Sequence, residues 1–254
     1  MARYIDRASN EYLELSSTVV TAAPLTVSAW ARTDVSTTTD DYCIVQIGDA
    51  SEADHYFRLS ADGSGDPGEL AWGARGGSGS ALAQARSSII PTVDQWYHMA
   101  GIEISSSSRR LLVDGTDIST NTSSRTPTGV DTITIGRERD STPDDSWSGD
   151  VAEVGIWDVA LTDAEAISLS AGYSPLFIRP QNLVFYAPLI RDVLDRVSGS
   201  TLTLGGTPDV SDHIPIIYPS PQFVLLSTGG GPPATEQTWI EYVSRHPKFS
   251  NIRR

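Results

Sequence analysis

The chain has 254 residues, 39% of them hydrophobic and 20% charged, with a formal net charge of −14. That length suits one large β-sandwich and the composition suits a folded core. The negative balance argues against a body that holds nucleic acid by general charge attraction, because phosphates are repelled.

The charge is uneven. Residues 237–254 carry Arg245, Lys248, Arg253 and Arg254 against Glu241, a net of +3, which leaves −17 on residues 1–236. A basic tail on an acidic body either contacts a different partner or folds back on its own body. Cys43 is the single cysteine, so no intrachain disulfide forms, and its apolar run Tyr42–Val45 predicts a small core residue. No apolar leader follows Met1, and no apolar run reaches the ~18–20 residues of a membrane span. A non-secreted or virion-assembled protein is expected, without membrane contact.

Period-two alternation dominates. Strands are predicted at Glu11–Leu15 and at Leu25–Arg32, where Leu25, Val27, Ala29 and Ala31 share a face. Further strands are predicted at Tyr42–Ile47, His55–Ser60 and Glu69–Gly73. Gln95–Ser105 sets Trp96, His98, Ala100, Ile102 and Ile104 together. Arg110–Val113 turns at Asp114-Gly115, a hairpin-type pair like Asp62-Gly63. Thr132–Gly136 follows, then Asp150–Trp157 with Ala152, Val154 and Ile156 on one side, and finally Leu183–Leu189 and Thr201–Leu204. Gly76–Ser80, Ser105–Ser108 and the acidic stretch Arg137–Gly149 read as loops.

One short helix is predicted. Thr162-Asp163-Ala164-Glu165 has capping-box spacing, and Ala164, Ile167 and Ala171 follow at helical intervals up to Gly172. It is read as a surface helix on the sandwich edge. Near Ser227 the composition changes. Gly229–Pro233 is a linker, and Thr238-Trp239-Ile240-Glu241 is a second capping box. Trp239, Tyr242 and Val243 fall on one helical face before His246-Pro247 ends it. Two regions are expected: a sandwich over 1–226 and an arm over 227–254.

Several segments together resemble the laminin-G-like branch of the concanavalin A-like lectin/glucanase superfamily. These are Asn10–Leu15, Leu25-Thr-Val-Ser-Ala-Trp30, Gln95-Trp-Tyr-His-Met-Ala-Gly101, Arg110-Leu-Leu-Val-Asp-Gly115, Thr132-Ile-Thr-Ile-Gly136, Gly149-Asp-Val-Ala-Glu-Val-Gly-Ile-Trp157 and Leu161–Glu165. Their order over 9–172 carries the likeness. It implies an all-β jelly-roll sandwich of two antiparallel sheets with one short helix, plus an extended C-terminal arm. Leu183–Leu189 and Ser198–Leu204 resemble the first strands of such domains but come last. A permuted arrangement is therefore expected, with this segment closing the sandwich beside the N-terminal strand.

The related glucanases use E-x-D-x-x-E on one strand, where one carboxylate attacks the sugar and another gives a proton. Here Glu52-Ala53-Asp54 and Glu138-Arg139-Asp140 each supply half, and Phe57 and Pro143 stand in the third place. Asp150 and Glu153 are spaced to opposite faces of a strand. His98 reads as structural, and His55, His213 and His246 lack metal-ligand spacing. No cofactor is expected. Calcium stays open, because relatives hold it with loop oxygens. Asp40-Asp41 and Glu138, Asp140, Asp144 and Asp145 are the donors, with solvated acidic loops the preferred reading. Trp72 or Trp147, if exposed, would stack on a sugar, but core packing is preferred.

The expected function is a non-enzymatic virion structural protein on the virion surface, a capsid-decoration or tail-associated jelly roll. It would attach to other virion proteins, such as the major capsid protein, through arm residues Trp239, Ile240, Tyr242, Val243, Arg245, Lys248, Phe249, Arg253 and Arg254. The phage assignment is by analogy. A homo-oligomer, guessed a trimer, is expected. The alternative is a carbohydrate-binding lectin or adhesin with a glycan ligand, in a calcium-dependent or independent form.

Overall fold

A computed structural model gives the structure of the protein and describes residues 2–63 and 67–219. The nine arm residues, Trp239 to Arg254, lie outside the described residues. In chain order the elements are β1 (Ala2–Ile5), β2 (Tyr12–Leu15), β3 (Leu25–Thr33), β4 (Asp41–Gly48), β5 (His55–Asp62), β6 (Glu69–Gly76) and β7 (Ala83–Arg86). They continue with β8 (Trp96–Ser105), β9 (Ser108–Val113), β10 (Asp117–Asn121), β11 (Thr132–Ile135), β12 (Gly149–Trp157), α1 (Asp163–Ser170), β13 (Leu183–Ala187), β14 (Thr203–Gly205) and β15 (Asp209–Ser211).

The strands form two antiparallel sheets packed as a jelly-roll sandwich. The first runs β10-β9-β8-β3-β12-β1-β15, with β13 on the second half of β12. The second runs β14-β2-β11-β4-β5-β6-β7. Alternation builds the core as expected: Leu25, Val27, Ala29 and Ala31 of β3 face Ile44, Ile47, Phe57, Leu59 and Trp72 of the other sheet. Phe57 and Trp72 stack with centroids 6.3 Å apart. Trp72 and Trp147 are both core residues, and so is Cys43, whose thiol burial pushes up. Asp114 and Gly115 both adopt positive φ, as a tight two-residue hairpin turn requires.

On β8 the expected set Trp96, His98, Ala100, Ile102 and Ile104 does share a face, and it is the outer one: Tyr97 and Met99 face the core, while Ala100 and Ile102 pack with Leu112 under Ala166 of α1. Two local expectations, on the helix and on β12, are corrected. The helix thus lies on the sheet face rather than its edge. Its capping box between Thr162 and Glu165 is present, but Ala166 and Leu169 are the buried residues and Ile167 is 43% exposed. On β12 the register shifts between Ala152 and Gly155, with Glu153 at φ 55°. This bulge keeps Val154 and Ile156 in the core, turns Ala152 out, and brings Asp150 and Glu153 to the same outer side. Residues 183–205 enter both sheets: β13 pairs β12, and β14 pairs β2. The short strands β1, β7 and β15 were not anticipated.

Candidate functional site

The outer face of the second sheet is polar because β5 alternates strictly. Phe57, Leu59 and Ala61 point inward, so Arg58, Ser60 and Asp62 point outward. Register then sets Gln46 beside Arg58, Arg58 beside Gly73, and Gly73 beside Gln84. A side chain at Gly73 would collide with Gln84, so the glycine keeps this row low. The loop after β11 folds back over the row, held by the Cys43 N–H donating to the Asp145 carbonyl at 2.6 Å.

Arg58 is the hub. It is 2% exposed, and its guanidinium bonds Glu138 and Asp145 Oδ2 (2.8 Å), with Asp62 at 3.5 Å and Asp41 at 4.0 Å. It also lies 5.0 Å from the Tyr56 ring. Asp62 in turn accepts from Gln84 and pairs with Arg86 at 3.6 Å. Gln46 Nε2 and Arg58 Nε are buried donors without a hydrogen-bond partner among the described residues.

The two half-motifs of the sequence meet here. Oxygens of Asp54, Glu138 and Asp140 lie within 4.8 Å of one another, as do those of Glu138, Asp144 and Asp145. Burial first, and neighbouring carboxylates next, push Glu138 up to about 8 against the pull of Arg58. The same causes raise Asp144 to about 6. The donor set is the hard-oxygen kind that calcium takes. Arg58, however, already supplies a positive charge to Glu138 and Asp145, and Arg75 does so for Asp54 at 2.5 Å. Of the Asp40-Asp41 pair, Asp41 reaches this cluster, whereas Asp40 pairs with Arg7 at 2.9 Å.

A family profile described as the concanavalin A-like lectin/glucanases superfamily, of the laminin-G type, matches residues 7–166. The chain belongs to that superfamily. No curated protein matches it in sequence. Among solved structures, a native heptameric SAP-like pentraxin from Limulus polyphemus superposes with a TM-score of 0.60 at 16% identity, covering 82% of this chain and 92% of that one. The CBM40 of the Ruminococcus gnavus IT-sialidase gives 0.53 at 16% identity, covering 66% and 96%. Domain 4 of a GH43 extracellular arabinanase from Geobacillus stearothermophilus, solved with arabinotriose, gives 0.53 at 19% identity, covering 66% and 76%. At these identities the likeness shows the fold.

The sequence reading missed Arg58, Asp62, Gln84 and Arg86. The signal was present in His55–Asp62, where a cation and an anion occupy outward positions of an otherwise apolar alternation. His98 is structural: it is 1% exposed, with Nε2 2.9 Å from Ser28 Oγ. Among the described residues no helix is long and apolar enough to cross a membrane.

Proposed function

We propose that this laminin-G-like domain is a non-catalytic glycan-binding module that uses the outer face of its second sheet. The observation that carries it is the polar margin of that face, where Gln84, Arg86 and Asp145 stay half-exposed, each fixed by the buried Arg58–Asp62 core beneath the β11–β12 loop. Sugar hydroxyls both donate and accept, so a surface rich in preorganised groups of both kinds suits them. A binding role is favoured over hydrolysis because the carboxylates crowd within 4.8 Å and Arg58 ties Glu138 and Asp145 together. Glycosidases hold their pair about 5–9.5 Å apart, with room for sugar or water between. Relatives in fold include a CBM40 bound to α2,3-sialyllactose and the arabinanase domain with arabinotriose, which supports the reading.

The test is a glycan array with full-length protein, followed by titration of the retained sugars. Gln84→Ala is expected to weaken binding about tenfold, and Asp117→Ala on the far sheet to leave it unchanged. An array on which no glycan is retained sinks the reading.

A second reading rests on the charge asymmetry, +3 on residues 237–254 against −17 before them. It makes the chain a virion surface decoration, a homo-oligomer attached through its C-terminal arm to other virion proteins. Full-length protein should then bind decoration-stripped particles and a 1–228 truncation should not. Equal binding by both would remove the anchor.

A further inference from the structure

The outer face of the first sheet is half covered. Helix α1 and residues 212–218 take one half: Ala166 packs on Ala100, Ile102 and Leu112, and the Tyr218 hydroxyl donates to Glu153 at 2.6 Å. Among the described residues nothing covers the other half, and register fills it with aromatic residues. Trp96 stands opposite Arg32, Arg32 opposite Asp150, and Asp150 opposite Tyr4, while Trp30 stands opposite His98 in the next row.

Each group on this shelf is held. Arg32 donates through Nε to Asp150 Oδ2 at 2.8 Å and pairs with it through Nη2 at 2.7 Å, and its guanidinium lies 5.2 Å from the Trp96 ring. Tyr4 donates to Asp34 at 2.6 Å. Trp30 meets the His98 ring edge-on at 5.2 Å. Beneath it, His98 Nδ1 is buried without a hydrogen-bond partner among the described residues.

We propose that Tyr4, Trp30, Arg32 and Trp96 form a second binding site, separate from the polar face of the other sheet, for a neutral oligosaccharide. Three observations lead there. Trp72, Trp147 and Trp157 are at most 1% exposed, yet Trp30 and Trp96 are only half-buried, on the same strand face as Tyr4. Rigid, amphipathic rings of this kind give contact area at little entropic cost. Asp150 neutralises Arg32, and Asp34 beside Tyr4 leaves the shelf net negative, so a polyanion gains nothing there. Arg32 Nη1 has no partner among the described residues, which leaves one fixed donor for a hydroxyl. Ring surfaces for the C–H side of a pyranose beside a fixed polar donor are what a neutral sugar requires.

The experiment is hydroxyl-radical footprinting of the full-length protein with cello-, xylo-, manno- and arabinohexaose. At least one is expected to lower oxidation of Trp30 and Trp96 severalfold and leave Trp72, Trp147 and Trp157 unchanged. Trp96→Ala should weaken that sugar about tenfold and remove the protection at Trp30. Trp30→Ala should do the same at Trp96, and the Trp96 variant suffices alone if loss of Trp30 prevents folding. Protection must persist in Gln84→Ala, which alters only the second sheet. Failure of all four sugars to protect, or protection abolished by Gln84→Ala, overturns the proposal without touching the second-sheet reading. Protection that grows with protein concentration in the absence of sugar also overturns it, because the shelf is then a contact between copies.

Discussion

Glu103 and Arg109 face each other across the β8–β9 hairpin with both side chains fully buried, joined by Nη2–Oε1 at 2.9 Å and Nε–Oε2 at 3.1 Å. The same Glu103 Oε2 accepts from Trp72 Nε1 of the opposite sheet at 3.1 Å, so one carboxylate ties the hairpin to the facing layer. Burial pushes the Glu103 carboxyl up, and Arg109 opposes that shift. Removing one partner leaves an uncompensated charge in the core. Arg109→Met should therefore cost about 3–5 kcal/mol in urea unfolding at an unchanged m-value. It also frees the Ser106 and Ser123 carbonyls that Arg109 serves. A loss below about 1 kcal/mol would contradict the role given to this pair.

Arg58 makes a different prediction, because its partners belong to the polar face. Arg58→Gln leaves Glu138, Asp62 and Asp145 without their shared cation. Thermal unfolding should fall markedly, by about 3–5 kcal/mol for a pair of this burial. Millimolar calcium, a hard cation suited to carboxylates, should raise the variant's midpoint more than the wild type's. If calcium raises both equally, Arg58 is not what neutralises the cluster.

Stability should depend on pH in two opposed ways. Burial depresses His98 from 6.5 to about 3, so between these values the unfolded chain takes up a proton that the native one refuses. The contribution is present above pH 6.5 and is lost as pH falls toward 3. Glu138 is raised from 4.5 to about 8, so over that window the native state holds the extra proton and stability declines as pH rises. Urea midpoints measured from pH 4 to 8 should flatten on the acid side in His98→Gln and on the alkaline side in Glu138→Gln. The opposite assignment of the two limbs would refute it.

Gly101 lies under the Trp72 ring, and a Cβ built there comes within 2.3 Å of ring carbons. Gly101→Ala must push the indole away and with it the bond to Glu103. Overpacking of this kind costs about 1–3 kcal/mol. A thermal midpoint within a degree of wild type would show that the sheets can separate locally to admit a methyl group.

Much of the fold was legible because β3 and β5 follow the period-two rule from end to end, and because Thr162 and Glu165 spell a capping box. On β8 the alternation gave the shared face but not which face is the core, for a physical reason: Ala100 and Ile102 are apolar because α1 covers them, so both faces of that strand are buried. On β12 a single residue, Glu153, shifts the phase, and no composition signal announces a bulge. β1, β7 and β15 are too short and too polar to show a pattern. The candidate site was the least legible region. Asp54 and Glu138 stand far apart in the chain, and only the folding of the β11–β12 loop over β5 brings them together around Arg58.

Among the described residues the first and last strands are neighbours: Ala2 pairs with Ser211 and Tyr4 with Asp209, antiparallel, at the margin of the first sheet. A pull applied between residue 2 and residue 211 therefore loads this ladder from one end. Its bonds break in succession, like a zipper, instead of sharing the load in shear. Under tension the domain should give way first at β15, at low force, while the sheets behind it stay closed.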